Sequence, residues 1–394
     1  MNITHNKKIL ITLFNANGMH GAVRYSAELG KFFHSIGYDV YVCAVVTSDT
    51  TNKYFAQNNV TAINISEFPT DIEFDIVWTH HWPVLPYLIY RGLKYKRIIN
   101  STISSILFIE RPLWFTKNID LHLTLTEKTR KTFIKNYGIS KNKIFVLPNT
   151  APDEYFEYPH TLNQNIKSVA VVSNHPPQEV LDALQILQND GIDTIVYGKG
   201  NSIDITPEVL DKHDVIITIG KTVQYCLAMQ IPVYNYDYFG GSGYITTQKI
   251  SKEGKHNFSG RSFFIKKTAE QIANEIRTQY DSIKPQLVAL KQIATQRYKL
   301  SDKIQQILNL LYTKPMCKPV KITPKNRLFF EYAGTCIDLS AAHNNKHVNT
   351  VDLERVNDEI SVAFIPKFIG RIICCFIPIA KYRRKFRRKY VKKY

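Results

Sequence analysis

No stretch of this chain reaches the about eighteen consecutive apolar residues that a bilayer-crossing helix needs, so an integral membrane protein is not expected. Cysteine is sparse and unpaired in pattern. The six, at 43, 226, 317, 336, 374 and 375, form no CxxC motif and no zinc-ligand spacing, and reduced thiols in a cytoplasm are the simplest reading. A secretory leader is not expected either: the apolar run in MNITHNKKILITLFNANG is short and meets a Gly-containing loop where a cleavage site should stand, so it reads as a first β-strand. No Asp-x-Asp pair stands in a loop that follows a strand, and neither a metal nor a cofactor is expected. Acid is scarce as well, with 33 Asp and Glu against 51 Lys and Arg and a net charge of +18. Nine of those bases lie in the last fourteen residues, KYRRKFRRKYVKKY, which hold no acid.

What is present is a globular composition, 44% hydrophobic and 21% charged over 394 residues, enough for two cores of ordinary size. Short β-rich runs (KILITLF, DVYVCAV, VTAINI, DIVWTH) alternate with amphipathic segments such as HGAVRYSAELGKFFHSIG, which predicts an α/β lobe over 1–155. LPNTAPDEYF at 147–156 closes it, and polar, aperiodic 156–166 reads as a linker. The pattern restarts with SVAVVS at 168–173 and runs through DTIVYG, DVIITIG and PVYNY, predicting a second doubly wound lobe over 167–312, with helices near 267–281 and 285–312. Two such lobes imply a ligand crevice between them. Residues 313–363 read as an irregular, strand-like extension. The tail 364–394, with FIGRIICCFIPI running into the basic block, has the composition of a segment lying on an anionic membrane; nucleic-acid binding and a plain solvated tail are the competitors.

In open α/β sheets ligands bind beyond the carboxyl ends of strands. After the first strand, Gly18, Met19, His20 and Gly21 lead into a helix carrying Arg24, suited to a hydroxyl-rich or anionic ligand or simply an ordinary turn. DIVWTHHW ends in His80, His81 and Trp82, an aromatic wall beside two imidazoles able to hydrogen-bond or move protons; His80 is the preferred one, and a structural histidine is the plain alternative. In the second lobe, Ser173, Asn174 and His175 precede a helix, where small polar residues also serve as routine caps. Gly198 and Lys199 close the next strand. Asp237, Tyr238, Phe239, Gly240, Gly241, Gly243 and Tyr244 are read as a loop whose successive amides form a phosphate nest between aromatic walls, with a flexible connection as the alternative. NFSGR offers Ser259 and Arg261 to the same anion.

With LTEKTRKTFIKNYGISKNKIFVLPNTAPDEYF, NGMHGAVRYSAELGKFFHSIGYDVYV and DIVWTHHW in view, residues 1–312 resemble the nucleotide-sugar glycosyltransferases of the GT-B fold, above all the retaining family four group. Asn149, Phe156 and His80 carry the match. The departure is that family's Glu-x7-Glu pair, whose positions hold Ile217 and Tyr225, with Gln230 where a Gly stands. The family's diphosphate-gripping Arg and Lys are missing too, with Asn174 and His175 in their region. The resemblance implies two Rossmann-like domains facing a cleft. It also implies transfer of a sugar from a nucleotide-sugar donor to a lipid-linked or growing glycan acceptor, in bacterial lipopolysaccharide, lipooligosaccharide or capsule synthesis. The second lobe would hold the donor and the first the acceptor at Gly18–Arg24, with His80 orienting or deprotonating a hydroxyl. The enzyme would work on the cytoplasmic face of the cell membrane, held by 364–394, without nucleic acid. A catalytically inactive partner subunit and another sugar-nucleotide enzyme, such as an epimerase, remain the alternatives.

Overall fold

A computed structural model of the chain describes residues 6–103, 107–198, 200–201 and 203–344. Lys199 and the tail 364–394 lie outside the described residues. The backbone is doubly wound α/β twice over. Nine residues of KKILITLFN form β1 (Lys7–Asn15), whose centre is wholly buried because helices cover both faces. Then come α1 (Gly21–Ser35), β2 (Tyr38–Val46), α2 (Asp49–Gln57), β3 (Thr61–Asn64), β4 (Glu73–Thr79), α3 (Val84–Tyr90), β5 (Lys94–Thr102), β6 (Leu121–Thr124), α4 (Glu127–Tyr137) and β7 (Ile144–Val146). Their sheet has the order β3-β2-β1-β4-β5-β6-β7, with β1 parallel to β2 and β4. The chain thus builds outward from β1 on one side, then crosses to β4 on the other.

The second sheet follows α5 (Asp153–Glu157). It comprises β8 (Ser168–Val172), α6 (Gln178–Asn189), β9 (Asp193–Tyr197), α7 (Pro207–Leu210), β10 (Val215–Thr218), α8 (Lys221–Met229), β11 (Val233–Asp237) and β12 (Gly240–Tyr244). The order is β12-β11-β10-β8-β9, parallel except for the β11–β12 hairpin, so the crossing point lies between β8 and β10. Helices α9 (Ile250–Gly254), α10 (Ala269–Ile283), α11 (Leu287–Tyr298) and α12 (Leu300–Tyr312) complete it. The helix expected over 285–312 breaks at Lys299, whose backbone is extended so that Ala151 can bridge to it.

Packing divides the chain into two units: one of residues up to Asn100, Leu107–Ile119 and the stretch from Cys317, the other of Asp120–Met316 with the end of β5. The stretch expected to be a linker is bound down. Asp214 accepts from Asn163 Nδ2 (2.8 Å) and from the Lys167 and Ser168 amides (2.6 and 2.9 Å), and Tyr280 Oη donates to Asn163 O (3.1 Å). The reading of 313–363 as strand-like is corrected over its described part. Residues Arg327–Asn344 are an α-helix, α13, that buries Phe330, Ala333, Cys336 and Ile337 at helical spacing against α3 and β2 of the first unit. Its run LFFEYAGTCI mixes aromatics and a glycine that suggest a strand in isolation. Tertiary packing overrides that preference: Gly334 sits against the Tyr87 ring, and Phe330 stacks parallel to Phe115 with centroids 6.1 Å apart.

Candidate functional site

In the first unit, the loops after β1 and β4 meet at the crossing point, the position where open α/β sheets take ligands. Thr12 and Thr79 join their hydroxyls at 2.8 Å across the two strands. Asn15 Oδ1 accepts the Asn17 amide (2.7 Å), Gly18 turns with φ +88°, and His20 N donates to Gly18 O (3.0 Å), so the loop curls and releases α1 at Gly21. Met19 and His20 are half-buried and Gly21 is exposed at this rim, with Arg24 one turn inside the helix. The Phe14 amide donates to His81 Nδ1 at 3.0 Å, which joins the two loops and fixes the tautomer with the proton on Nε2. Burial, followed by the neighbouring His20, pushes the His81 pKa down to about 4. His20 is itself lowered by burial, partly offset by a hydrogen bond to the Asn15 backbone.

These facts revise the proton-transfer roles expected of the two adjacent histidines. His81 is neutral near pH 7 with Nδ1 already occupied, so it is a hydrogen-bond donor and not a base. His80 is 1% exposed, its ring edge-on to Tyr25 at 5.4 Å, and in this conformation it supports the loop from behind without meeting solvent. Trp82 does form part of an aromatic wall, 6.1 Å from Phe108 and 6.3 Å from Trp114, with its amide donating to Ile109 O (2.9 Å).

In the second unit, the loops after β9, β8, β10 and β11 follow one another along the carboxyl edge. Ser173 takes a backbone bond from its amide to Tyr197 O (3.0 Å) and its Oγ accepts the His175 amide (3.2 Å), leaving Asn174 and His175 exposed at the start of α6. Gly198 serves packing: a Cβ there would lie 1.9 Å from Ser173 O. Asp237 ends β11 and bonds the Tyr238 amide (2.7 Å); burial raises its pKa, against the opposing pull of that amide, His175 and Lys266. Glu179, in the first turn of α6, accepts from Lys266 Nζ (2.9 Å) and Tyr236 Oη (3.1 Å). Burial raises its pKa, but Lys266, the helix amide and Tyr236 together outweigh that and lower it. Lys266 also stands over the Tyr238 ring (5.4 Å), which is 71% exposed, and the Arg261 guanidinium covers Phe239 at 4.3 Å. His175, Asp237, Tyr238, Phe239, Arg261 and Lys266 are thus brought together.

The amide nest is not there. Gly240, Gly241, Gly243 and Tyr244 lie in β12, an edge strand paired antiparallel with β11 through the two-residue turn Tyr238–Phe239, and all four are buried. The Gly241 amide donates to Ile265 O (2.9 Å), and a Cβ at 241 would fall 1.9 Å from Asn235 O. At Gly243 a Cβ would meet Glu275 Oε2 and Lys267 Nζ, an ion pair that crosses the strand there. Tyr244 Oη donates to Ile276 O (3.0 Å). The glycines are needed for close backbone approach, not for an anion.

Two features went unread in the sequence. Lys266 lies five residues after Arg261 but far along the chain from His175, Glu179 and Asp237, and only folding brings it to them. The turn Thr218–Lys221 did carry a signal, a Gly-Lys-Thr directly after a hydrophobic strand: Gly220 (φ +64°) precedes α8, whose first turn has no side-chain cap, and Asn235 Nδ2 (2.9 Å) and the Gly220 amide (3.0 Å) both bond Phe258 O to hold the neighbouring loop. The positions of the absent carboxylate pair are filled with core: Ile217 is buried, and buried Tyr225 stacks on Tyr155 at 4.2 Å.

No family model matches the chain, and no curated protein does. Among solved structures, it is similar to a glycosyltransferase from Rickettsia africae ESF-5 (16% identity, 78% of this chain and 98% of that one, TM-score 0.49) and to Anabaena HepE in complex with UDP and glucose (14%, 78% and 100%, TM-score 0.49). It is also similar to a UDP-N-acetylglucosamine 2-epimerase (16%, 81% and 100%, TM-score 0.45).

Proposed function

We propose that this chain is a glycosyltransferase that moves a sugar from a nucleotide-sugar donor to a lipid-linked or growing glycan acceptor, in bacterial lipopolysaccharide, lipooligosaccharide or capsule synthesis. The observation that carries this is the second unit's edge cluster, where an exposed Tyr238, Phe239 under Arg261, Lys266 and His175 combine aromatic faces with cations, the chemistry a nucleoside diphosphate requires. The first unit supplies a separate site of hydrogen-bond donors, His81 Nε2 beside the Gly18–His20 turn, that suits an acceptor's hydroxyls.

When the anomeric carbon–oxygen bond breaks, negative charge develops on the departing diphosphate as the acceptor hydroxyl attacks. Arg261, Lys266 and the N-terminal end of α8 meet that charge in this reading, and no resident metal is invoked. His81 orients the acceptor. The protein works at the cytoplasmic face of the membrane, with 364–394 as one contact. Among the described residues no helix is long and apolar enough to cross a membrane. An inactive partner subunit is the second reading, favoured by core packing at Ile217 and Tyr225; a sugar-nucleotide epimerase would act without an acceptor.

Thermal stabilisation and transfer measured with UDP-, GDP- and CMP-sugars test this. One nucleotide class should raise the melting temperature and support transfer. No stabilisation by any of them supports the inactive partner, and sugar conversion without an acceptor supports the epimerase.

A further inference from the structure

The first unit exposes a continuous apolar and aromatic face that the transferase reading does not use. Ring contacts trace it: Phe108 to Trp82 (6.1 Å), Trp82 to Trp114 (6.3 Å) and Trp114 to Phe329 (5.5 Å). At its ends Leu107 and Leu328 are each 53% exposed, and between them Phe329 is 48% and Trp114 36% exposed. Leu328 and Phe329 stand exposed in the first turn of α13, Phe329 at the margin of the buried stripe of Phe330, Ala333, Cys336 and Ile337, so the apolar surface at this end of the helix runs past what the first unit covers.

The charge beside this face is mostly positive. Residues 317–330 carry Lys318, Lys321, Lys325 and Arg327 and no acid. Arg111 lies over the Phe108 ring at 5.1 Å. Nearby Glu331 is matched by Arg327 at 2.9 Å, and Glu110 is buried. An occupant must therefore be both apolar and anionic. A second copy, at net +18, brings like charge, and so does the chain's own basic tail. Nucleic acid gives no partner to Leu107, Leu328 and Phe329. A bilayer with anionic headgroups satisfies both demands, since aromatic and aliphatic side chains settle at the acyl boundary while bases gather at the phosphates.

We propose that Leu107, Phe108, Trp114, Leu328 and Phe329, with Arg111 against Phe108 and Lys318, Lys321 and Lys325 in the segment leading into α13, form a membrane-docking face in the folded part of the first unit, separate from the tail. It builds on the membrane-surface element of the reading above and adds a fixed orientation: the face adjoins Trp82, so docking holds the first unit's candidate acceptor site beside the bilayer.

The test uses the full chain with vesicles of brominated phosphatidylcholine and phosphatidylglycerol, beside vesicles lacking phosphatidylglycerol. Binding should require the anionic lipid, and brominated acyl chains should quench tryptophan fluorescence in the native chain but much less in Trp114→Phe. The double variant Leu328→Glu, Phe329→Glu, altered at exposed positions and checked for an unchanged melting temperature, should lower vesicle partitioning by about tenfold with the tail intact. Vesicle binding without quenching, or unchanged partitioning of the double variant, overturns the proposal. So does loss of a dimer on that substitution with lipid partitioning unaffected. Nucleotide binding is followed in the same samples, so a failure of the donor reading is seen separately from a failure of docking.

Discussion

At the scale of single residues, chemistry here is decided by what each polar atom already holds. His81 was legible from DIVWTHHW as a polar residue at a strand end, but its hydrogen bonding was not, because the Phe14 amide on its Nδ1 comes from a strand 67 residues earlier. Its pKa near 4 lies below the unfolded value of 6.5, so the unfolded chain takes up a proton that the folded chain refuses. Stability is therefore full above about pH 6.5 and falls as pH drops toward 4, by on the order of 3 kcal/mol for this group alone. Lowered His20 and His213 add to the same slope. His81→Gln, whose amide oxygen can still accept from Phe14, should flatten the dependence of melting temperature on pH in that window; an unaltered slope would show that His81 is not its source. Lys266→Ala should weaken binding of the favoured nucleotide by about tenfold, read by calorimetry, because a cation contact to a diphosphate is worth about 1.5–3 kcal/mol. Equal affinity in the variant would remove Lys266 from the donor site.

At the scale of elements, the glycine-rich run shows how one signal serves two physical causes. Glycines after a strand permit either an open amide nest or a backbone packed too close for any Cβ, and the sequence YDYFGGSGYI is compatible with both. The hairpin chose the second. Gly241→Val should consequently cost about 1–3 kcal/mol or more in folding stability, as overpacking against immovable backbone does, and donor affinity should be lost only together with the fold. A stable, folded Gly241→Val protein would show that β12 is not packed as described. Helix α13 makes the complementary case. Phe330→Ala, at a wholly buried position, should lower unfolding free energy by about 3–5 kcal/mol in denaturant titration, whereas Phe329→Ala, one residue away and half-exposed, should cost far less. Comparable losses at the two positions would contradict the assigned face of the helix.

At the scale of the whole molecule, each doubly wound unit presents a polar cluster at the carboxyl edge of its sheet, one apiece for the two substrates of the proposed transfer. A chelator should leave turnover within about twofold if cations and amides alone meet the leaving charge, whereas activity restored only by a divalent ion would return a metal to the mechanism. The strands β1 to β4 and β8 to β11, with the helices that alternate with them in the second unit, were legible in the sequence alone, since hydrophobic period and turn residues act over a few neighbours; β5 and β6 were not read there. The first unit's loops at Gly18–His20 and His80–Trp82 were legible for the same reason: each follows a strand. Only the tertiary structure decided that 327–344 is a helix closing the first unit, that β12 is a strand, that Lys266 joins Asp237 and Glu179, and which histidine nitrogen is free to donate. Each of those outcomes rests on contacts between residues far apart in the chain, where burial and backbone crowding outweigh local preference.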